Sequence, residues 1–290
     1  MDAPQTPTYP DFSRVDEHLD RDMLARSTVV FIGVGGAAGI GMHLARCGVI
    51  HFGAIDPDKV SATNMATQEY CVPQIGKPKV EAFAENIHAI APHAKIEGIA
   101  QAYEDIFPEE RAGILNEATI VLAMTDSHSS QKAINSDALR YGKPAIFAMM
   151  GDGLQQMEVT ATLPGAVAAG RGCHLCQVWP REKAYREGFN NRAVIGSHVV
   201  SAAMLNAQIA YLVLGLVHHL AGSEKRISSI GAHFAAKPCL LTALDPDFWT
   251  SNPDGYGIVP PGMQLFTTKL FGLDSPKGWV CEACGTKGVA

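Results

Sequence analysis

Two cysteine pairs, Cys173-x-x-Cys176 and Cys281-x-x-Cys284, share a two-residue spacing that lets both thiolates of a pair reach one metal ion. Four thiolates close a tetrahedral shell around Zn²⁺ and leave no position for water, so such a site is structural. It would pin the C-terminal segment to the middle of the chain. A redox Cys-x-x-Cys is the rival reading of a single pair, but that motif occurs alone and beside an exposed helix start. With four cysteines present, His174 is expected to be exposed. Gly33, Gly35 and Gly36 form the second constellation, between an apolar β-branched run, TVVFI, and the helically spaced IGMHLARCGV. A loop without side chains lets backbone approach a phosphate, and helix-start amides favour its charge. Asp56 ends the next strand, IHFGAID, where a carboxylate accepts hydrogen bonds from ribose hydroxyls. This fingerprint denotes an adenosine nucleotide or dinucleotide and does not choose between redox and phosphate chemistry.

The elements around these residues alternate. KPKVEAFAENIHAI reads as an amphipathic helix ended by Pro92, AKIEGIA as a strand, and IVLAMTD as a buried strand with an acid at its C-terminal end. SHSSQKAINSDALRYG is a helix with a glycine stop, and PAIFAMMG a further strand. Alternation through residue 150 argues for an open parallel sheet. EVTATLPG then reads as an antiparallel strand, followed by the first cysteine pair, a long helix and an irregular Pro/Gly-rich tail. Residues 13–26 suit a polar surface helix or arm, and His218 and His219 should end the long helix as cations that suit its dipole. The expected fold is α/β, a Rossmann-like largely parallel sheet extended by antiparallel strands, with a zinc-clamped C-terminal segment. Residues 1–11 are expected to be a flexible N-terminus and residues 12–290 one domain, with a nucleotide-binding half at 27–150 and a zinc-bearing, long-helix half at 151–290.

Composition excludes several classes. With 23 Lys and Arg against 29 Asp and Glu, the net charge of −6 gives no nucleic-acid footprint. No basic region followed by an apolar run opens the chain, so a cytoplasmic protein with reduced thiols is expected, and the seven cysteines read as ligands, nucleophiles or core residues. Residues 199–221 are long and apolar enough to suggest a membrane span. Asn206 and Gln208 within them, and the lack of a basic flank, favour a buried core or interface helix instead.

The stretch after Asp56 resembles the ThiF/MoeB/HesA family, relatives of the ubiquitin-activating enzymes. In IDPDKVSATNMATQEYCVPQIGKPKVEA an acid pair, a valine, an Asn and a Gln precede Gly-x-x-Lys, here Asp56, Asp58, Val60, Asn64, Gln68, Gly76 and Lys79. The likeness runs on through Thr125–Asp126 and into RAVIGSHVVSAAMLNAQIAYLVLG. It implies adenylation of a C-terminal carboxylate by ATP, typically the Gly-Gly tail of a ubiquitin-like or sulfur-carrier β-grasp protein, in a symmetric homodimer with a zinc site. By that resemblance Lys79 contacts phosphate, Asp126 holds Mg²⁺, Asn64 and Gln68 line the phosphate pocket, and Arg14 reaches the partner subunit's ATP site.

The pattern breaks in three places. Ala38 replaces the family's third loop glycine, so the helix start is expected to shift to Gly39 or Gly41. Thr67 stands where an arginine usually precedes Gln68, which removes a charge from the triphosphate pocket. Asn190 or Asn191 occupies the place of the crossover cysteine that forms a thioester in many relatives. Cys71, Cys239 and Cys47 are the alternative thiols. These departures motivate a second reading: a catalytically weakened relative that binds a ubiquitin-like protein or supports an active partner.

Overall fold

The computed structural model describes residues 11–150, 156–188, 198–243, 268–271 and 276–288. Asn190 and Asn191 lie outside the described residues, as does the expected flexible N-terminus except for Asp11.

Strands β1 (Thr28–Ile32), β2 (His51–Ile55), β3 (Lys95–Ile99), β4 (Ile120–Ala123) and β5 (Ala145–Met150) pair in parallel, in the order β3-β2-β1-β4-β5. β6 (Gln156–Thr162), β7 (Cys239–Ala243) and β8 (Thr268–Phe271) continue the same sheet with antiparallel pairing. The parallel strands are joined by α2 (Ala38–Arg46), α3 (Lys79–His88), α4 (Pro108–Glu117) and α5 (His128–Arg140); α1 (Arg21–Arg26) precedes β1. After β6 come α6 (Pro164–Ala168), α7 (His174–Gln177), α8 (Trp179–Arg186), the 22-residue α9 (Val199–Leu220) and α10 (Ser228–Ala236).

β1 shows why both faces are covered. Val29 and Phe31 enter one apolar cluster with residues of α2, α3 and α9, while Val30 and Ile32 enter another with residues of α5 and β5. Alternating side chains of one strand thus serve two cores, which demands a run apolar at every position. Phe31 and Phe83 anchor the first core at a ring separation of 5.1 Å.

Several elements differ from the sequence reading. α2 starts at Ala38, not at Gly39 or Gly41, because the Ala38 side chain is accommodated in full burial. α3 ends at His88, short of Pro92. The polar arm contains α1, whose Asp20 cap accepts from the Met23 amide and whose Met23 and Leu24 are buried. α4 was not anticipated, since among its residues only Leu115 is buried and it shows no apolar stripe. The expected irregular tail supplies α10, β7 and β8. α9 is buried along most of its length, with Val200 and Tyr211 exposed on the remaining face.

His218 near the end of α9 is not a solvated cation. It is fully buried, its Nδ1 lies 2.7 Å from the Leu214 carbonyl, and its Nε2 accepts the Asp20 amide at 2.9 Å. Burial holds its pKa below the ordinary value, outweighing the bond to Leu214 and the charge of Asp20. A folded pKa below the unfolded one means the contribution to stability is complete above the unfolded pKa of about 6.5 and is lost as pH falls from there towards the folded value. Melting temperature should therefore decline as pH falls below neutrality, and His218→Gln should flatten that slope without removing the share due to other buried histidines.

Candidate functional site

The chain runs β1 to β2 to β3 in one direction and returns to place β4 on the other side of β1. Such a reversal splays the loops at the strands' C-terminal ends and leaves a crevice there. A cleft of about 650 Å³ opens at this place. The segments following β1, β2, β3 and β4, the end of β5, Tyr185 of α8 and one face of α9 line it.

The loop after β1 is built for close approach. Gly33 has φ of +90°, and a Cβ there would lie 2.7 Å from the Met124 carbonyl oxygen, so only glycine fits. Ala37 caps α2 without a side-chain hydrogen bond. Among the described residues nothing accepts from the amides of Gly35, Gly36 and Ala37. Three unsatisfied amides at a helix start make a cradle for an anion.

Asp56 is buried at the end of β2, with Oδ2 accepting from the Val34 amide and Oδ1 from the Asp58 amide, both at 2.9 Å. Each oxygen keeps a lone pair for a hydroxyl donor. Lys79, the first residue of α3, is buried to 7% exposure, and its Nζ pairs with the largely exposed Asp58 at 2.7 Å. It is the one permanently charged cation among the described lining residues, which also include Asp56, Asp58, Glu104 and the exposed Asp126. Gln68 stands beside Gly35 with its Oε1 buried and unpartnered. This surplus of carboxylates around one lysine suits a magnesium-bearing polyphosphate, since the metal would offset the repulsion between acids and phosphates.

The structure thus brings Gly33, Gly35, Gly36, Asp56, Asp58, Gln68, Lys79 and Asp126 to one cleft. Asn64 is not among its lining residues; its Oδ1 accepts from the Ser61 amide at 2.8 Å and caps a 3-10 turn. Arg14 is exposed and stands apart from the cleft of its own chain. Thr67 lines the cleft, but its hydroxyl lies 3.4 Å from the Thr63 carbonyl and brings no charge.

Other contributors carry no motif. His128 lines the cleft, stacks on Tyr185 at 4.0 Å, and meets Glu182 at 2.8 Å through Nε2. Glu182, fully buried, also takes Lys132 and Arg186, each at 3.0 Å. Burial pushes its pKa up, but the bonds from Arg186, Lys132 and His128 outweigh that and leave it lowered. Their sequence signal was only position, since His128 follows Asp126 by two residues.

The four paired cysteines gather at the other end of the sheet. Their sulfurs lie within 4.8 Å of one another, with Cys173 and Cys281 at 3.7 Å and Cys176 and Cys284 at 3.6 Å. Four sulfurs about 2.3 Å from a tetrahedral zinc would be spaced at about 3.8 Å, so the donor set fits that ion. The Asn135 amide donates to Cys173 sulfur at 3.5 Å, the outer support expected of a thiolate. His174 is not exposed as expected. It is 1% exposed, stacked on Phe147 at 4.0 Å, with Nδ1 2.7 Å from the Thr160 hydroxyl, and burial holds its pKa well down. Of the other thiols, burial pushes Cys239 well up and Cys47 up, so neither is poised as a thiolate, and exposed Cys71 does not line the cleft.

The ThiF family pattern matches residues 10–239 of this sequence. The chain belongs to the ThiF family. It is 28% identical over 130 residues to a sulfur carrier protein adenylyltransferase of Thermus thermophilus, an alignment covering 44% of this chain and 46% of that protein. With protein HesA of Leptolyngbya boryana the identity is 26% over 220 residues, covering 74% and 71%. The chain spans less than half the length of the Thermus relative and 32% of the length of an adenylyltransferase and sulfurtransferase uba4 of Aspergillus fumigatus. In fold this ThiF-family chain is similar to Escherichia coli MccB, solved with ATP, at a TM-score of 0.63 and 19% identity, covering 91% of this chain and 68% of that one.

Proposed function

We propose that this chain adenylates a C-terminal carboxylate with ATP, that of a ubiquitin-like or sulfur-carrier protein. The carrying observation is the placement of Lys79 and Asp126 on one cleft with the unsatisfied amides of Gly35, Gly36 and Ala37. A nicotinamide site has no use for a buried lysine and an acid at the triphosphate end. The names of relatives that act on a sulfur carrier protein and on molybdopterin synthase support the substrate class.

In the reaction a carboxylate oxygen bonds to the α-phosphorus, the bond from that phosphorus to the bridging oxygen breaks, and pyrophosphate leaves. The loop amides hold phosphate oxygens in place, and Asp56 holds the ribose hydroxyls. Lys79 leaves Asp58 to meet the charge gathering on the bridging oxygen, where a fixed cation has most effect. Asp126 would hold Mg²⁺, which would supply further charge neutralisation. The four cysteines would hold one Zn²⁺ as a clamp with no part in the chemistry. The apolar exposed face of α9, with Val200 and Tyr211, supports a homodimer, and Arg14 would then serve the cleft of the partner.

Thr67 favours a second reading. Without the usual arginine the pocket has one cation fewer, which suits a weakened enzyme that binds a carrier without turning it over. Pyrophosphate release on adding a carrier with a Gly-Gly terminus separates the two. Release that needs the carrier's free carboxylate supports adenylation, and carrier binding without release supports the scaffold.

A further inference from the structure

We propose that Asn206 of α9 is a positioning residue for the triphosphate: its side chain sets the direction of the phosphate-loop peptide between Gly36 and Ala37. The inference rests on the adenylation reading and deepens it.

Asn206 is 3% exposed in the middle of an apolar helix, where a polar group is costly unless bonded. Its Nδ2 donates to the Gly36 carbonyl at 2.8 Å and to Glu69 Oε2 at 2.8 Å. The two acceptors lie 170 and 137 residues away in sequence, so α9 is tied to both walls of the phosphate end. In a trans peptide the carbonyl and the next amide point in opposite directions. Holding the Gly36 carbonyl towards α9 therefore turns the Ala37 amide away from α9, and that amide is one of the three without an acceptor among the described residues. Were the carbonyl released, the peptide could rotate and present an oxygen to the phosphate instead.

Gly39 records the same arrangement. A Cβ there would lie 1.7 Å from Glu69 Oε2 and 2.9 Å from Asn206 Nδ2, so the Glu69–Asn206 bridge passes over Gly39 at a distance only glycine permits. Gly39, one residue beyond Ala38, leaves the room this bridge occupies. An amide is needed at position 206, because it gives a proton to each of two oxygens. A carboxylate there would face two acceptors.

The test uses the full chain loaded with zinc, with ATP affinity read by calorimetry in Mg²⁺, turnover by ATP–pyrophosphate exchange, and stability by melting. The isosteric Asn206→Asp should weaken ATP binding by about tenfold or more, the scale of losing one hydrogen bond beside a charged ligand. Its exchange rate at saturating ATP should stay within about threefold of wild type, since no group that acts on the reacting atoms has changed. In the double variant N206D/E69Q the glutamine amide donates to the new carboxylate, so melting should recover. ATP affinity should not, because the Gly36 carbonyl still faces an acceptor. Should N206D fail to fold, Asn206→Ala removes both bonds without adding charge and should weaken ATP binding by about threefold or more at retained maximal rate. Variants that bind ATP within about twofold of wild type, or a double variant that regains affinity together with stability, would overturn the proposal. Failure of the wild type itself to bind ATP would instead remove the adenylation reading on which the inference stands.

Discussion

Lys79→Met should reduce ATP–pyrophosphate exchange by about 10²- to 10³-fold, the usual cost of deleting one fixed charge or donor aimed at developing negative charge. Lys79 is the one permanent cation among the described lining residues, and its ammonium is already positioned by Asp58 at 2.7 Å. Methionine keeps most of the buried aliphatic stem and removes only the charge. Asp58 is 64% exposed in its side chain, so losing its partner leaves a solvated carboxylate and costs little stability. Circular dichroism and melting temperature should therefore be close to wild type while exchange collapses. Loss of activity through unfolding would show as a lowered melting temperature in the same samples. Exchange that survives within about threefold would mean that the cleft neutralises phosphate by some other group.

The second large effect concerns the thiol cluster. Elemental analysis should find one zinc per chain, and its removal by a chelator should lower the melting temperature by about 10 °C. Cys173 and Cys281 are 108 residues apart, and closing a loop of ~100 residues is worth about 4.7 kcal/mol in a chain-entropy account. A domain of this size shifts by about 2 °C per kcal/mol. Cys173→Ser, which removes a fully buried ligand, should lose the metal and show the same destabilisation. Cys239→Ser is the control, because Cys239 is buried in β7 and is not one of the four clustered thiols, so it should leave zinc content unchanged. Full zinc loading in Cys173→Ser would contradict a four-thiolate shell.

Much of the parallel half of the sheet was legible, because β1, β4 and β5 are continuous apolar runs bounded by glycine or an acid, and buried parallel strands require such runs. α4 was not, since a helix that buries one leucine carries no periodic signal. The strands β7 and β8 were hidden by their setting: short segments in Pro- and Gly-rich sequence, where the pairing of β7 with β6 and of β8 with β7 depends on distant register rather than local pattern. The site residues that a spaced motif carries, from Gly33 to Lys79, come together at one cleft with the exception of Asn64. That asparagine has the same composition cue whether it faces a phosphate or caps a turn, and only the fold of the 62–66 segment decides. His174 was misplaced towards solvent, and His218, which does lie in the last turn of the long helix, was read as a cation although it is buried. A lone histidine in sequence does not show the ring that will cover it or the distant amide it will accept from. Asn206 did give a sign, as a polar residue inside an apolar helix, but not of what it would hold.

The most direct test of the central claim is calorimetric titration of ATP into the wild-type chain and Asp126→Ala, with and without Mg²⁺, beside NAD⁺. Binding of ATP that requires Mg²⁺, is lost or sharply weakened in Asp126→Ala and exceeds binding of NAD⁺ is the predicted result. ATP binding indifferent to both Mg²⁺ and Asp126, or a preference for NAD⁺, would contradict an adenylation site in this cleft.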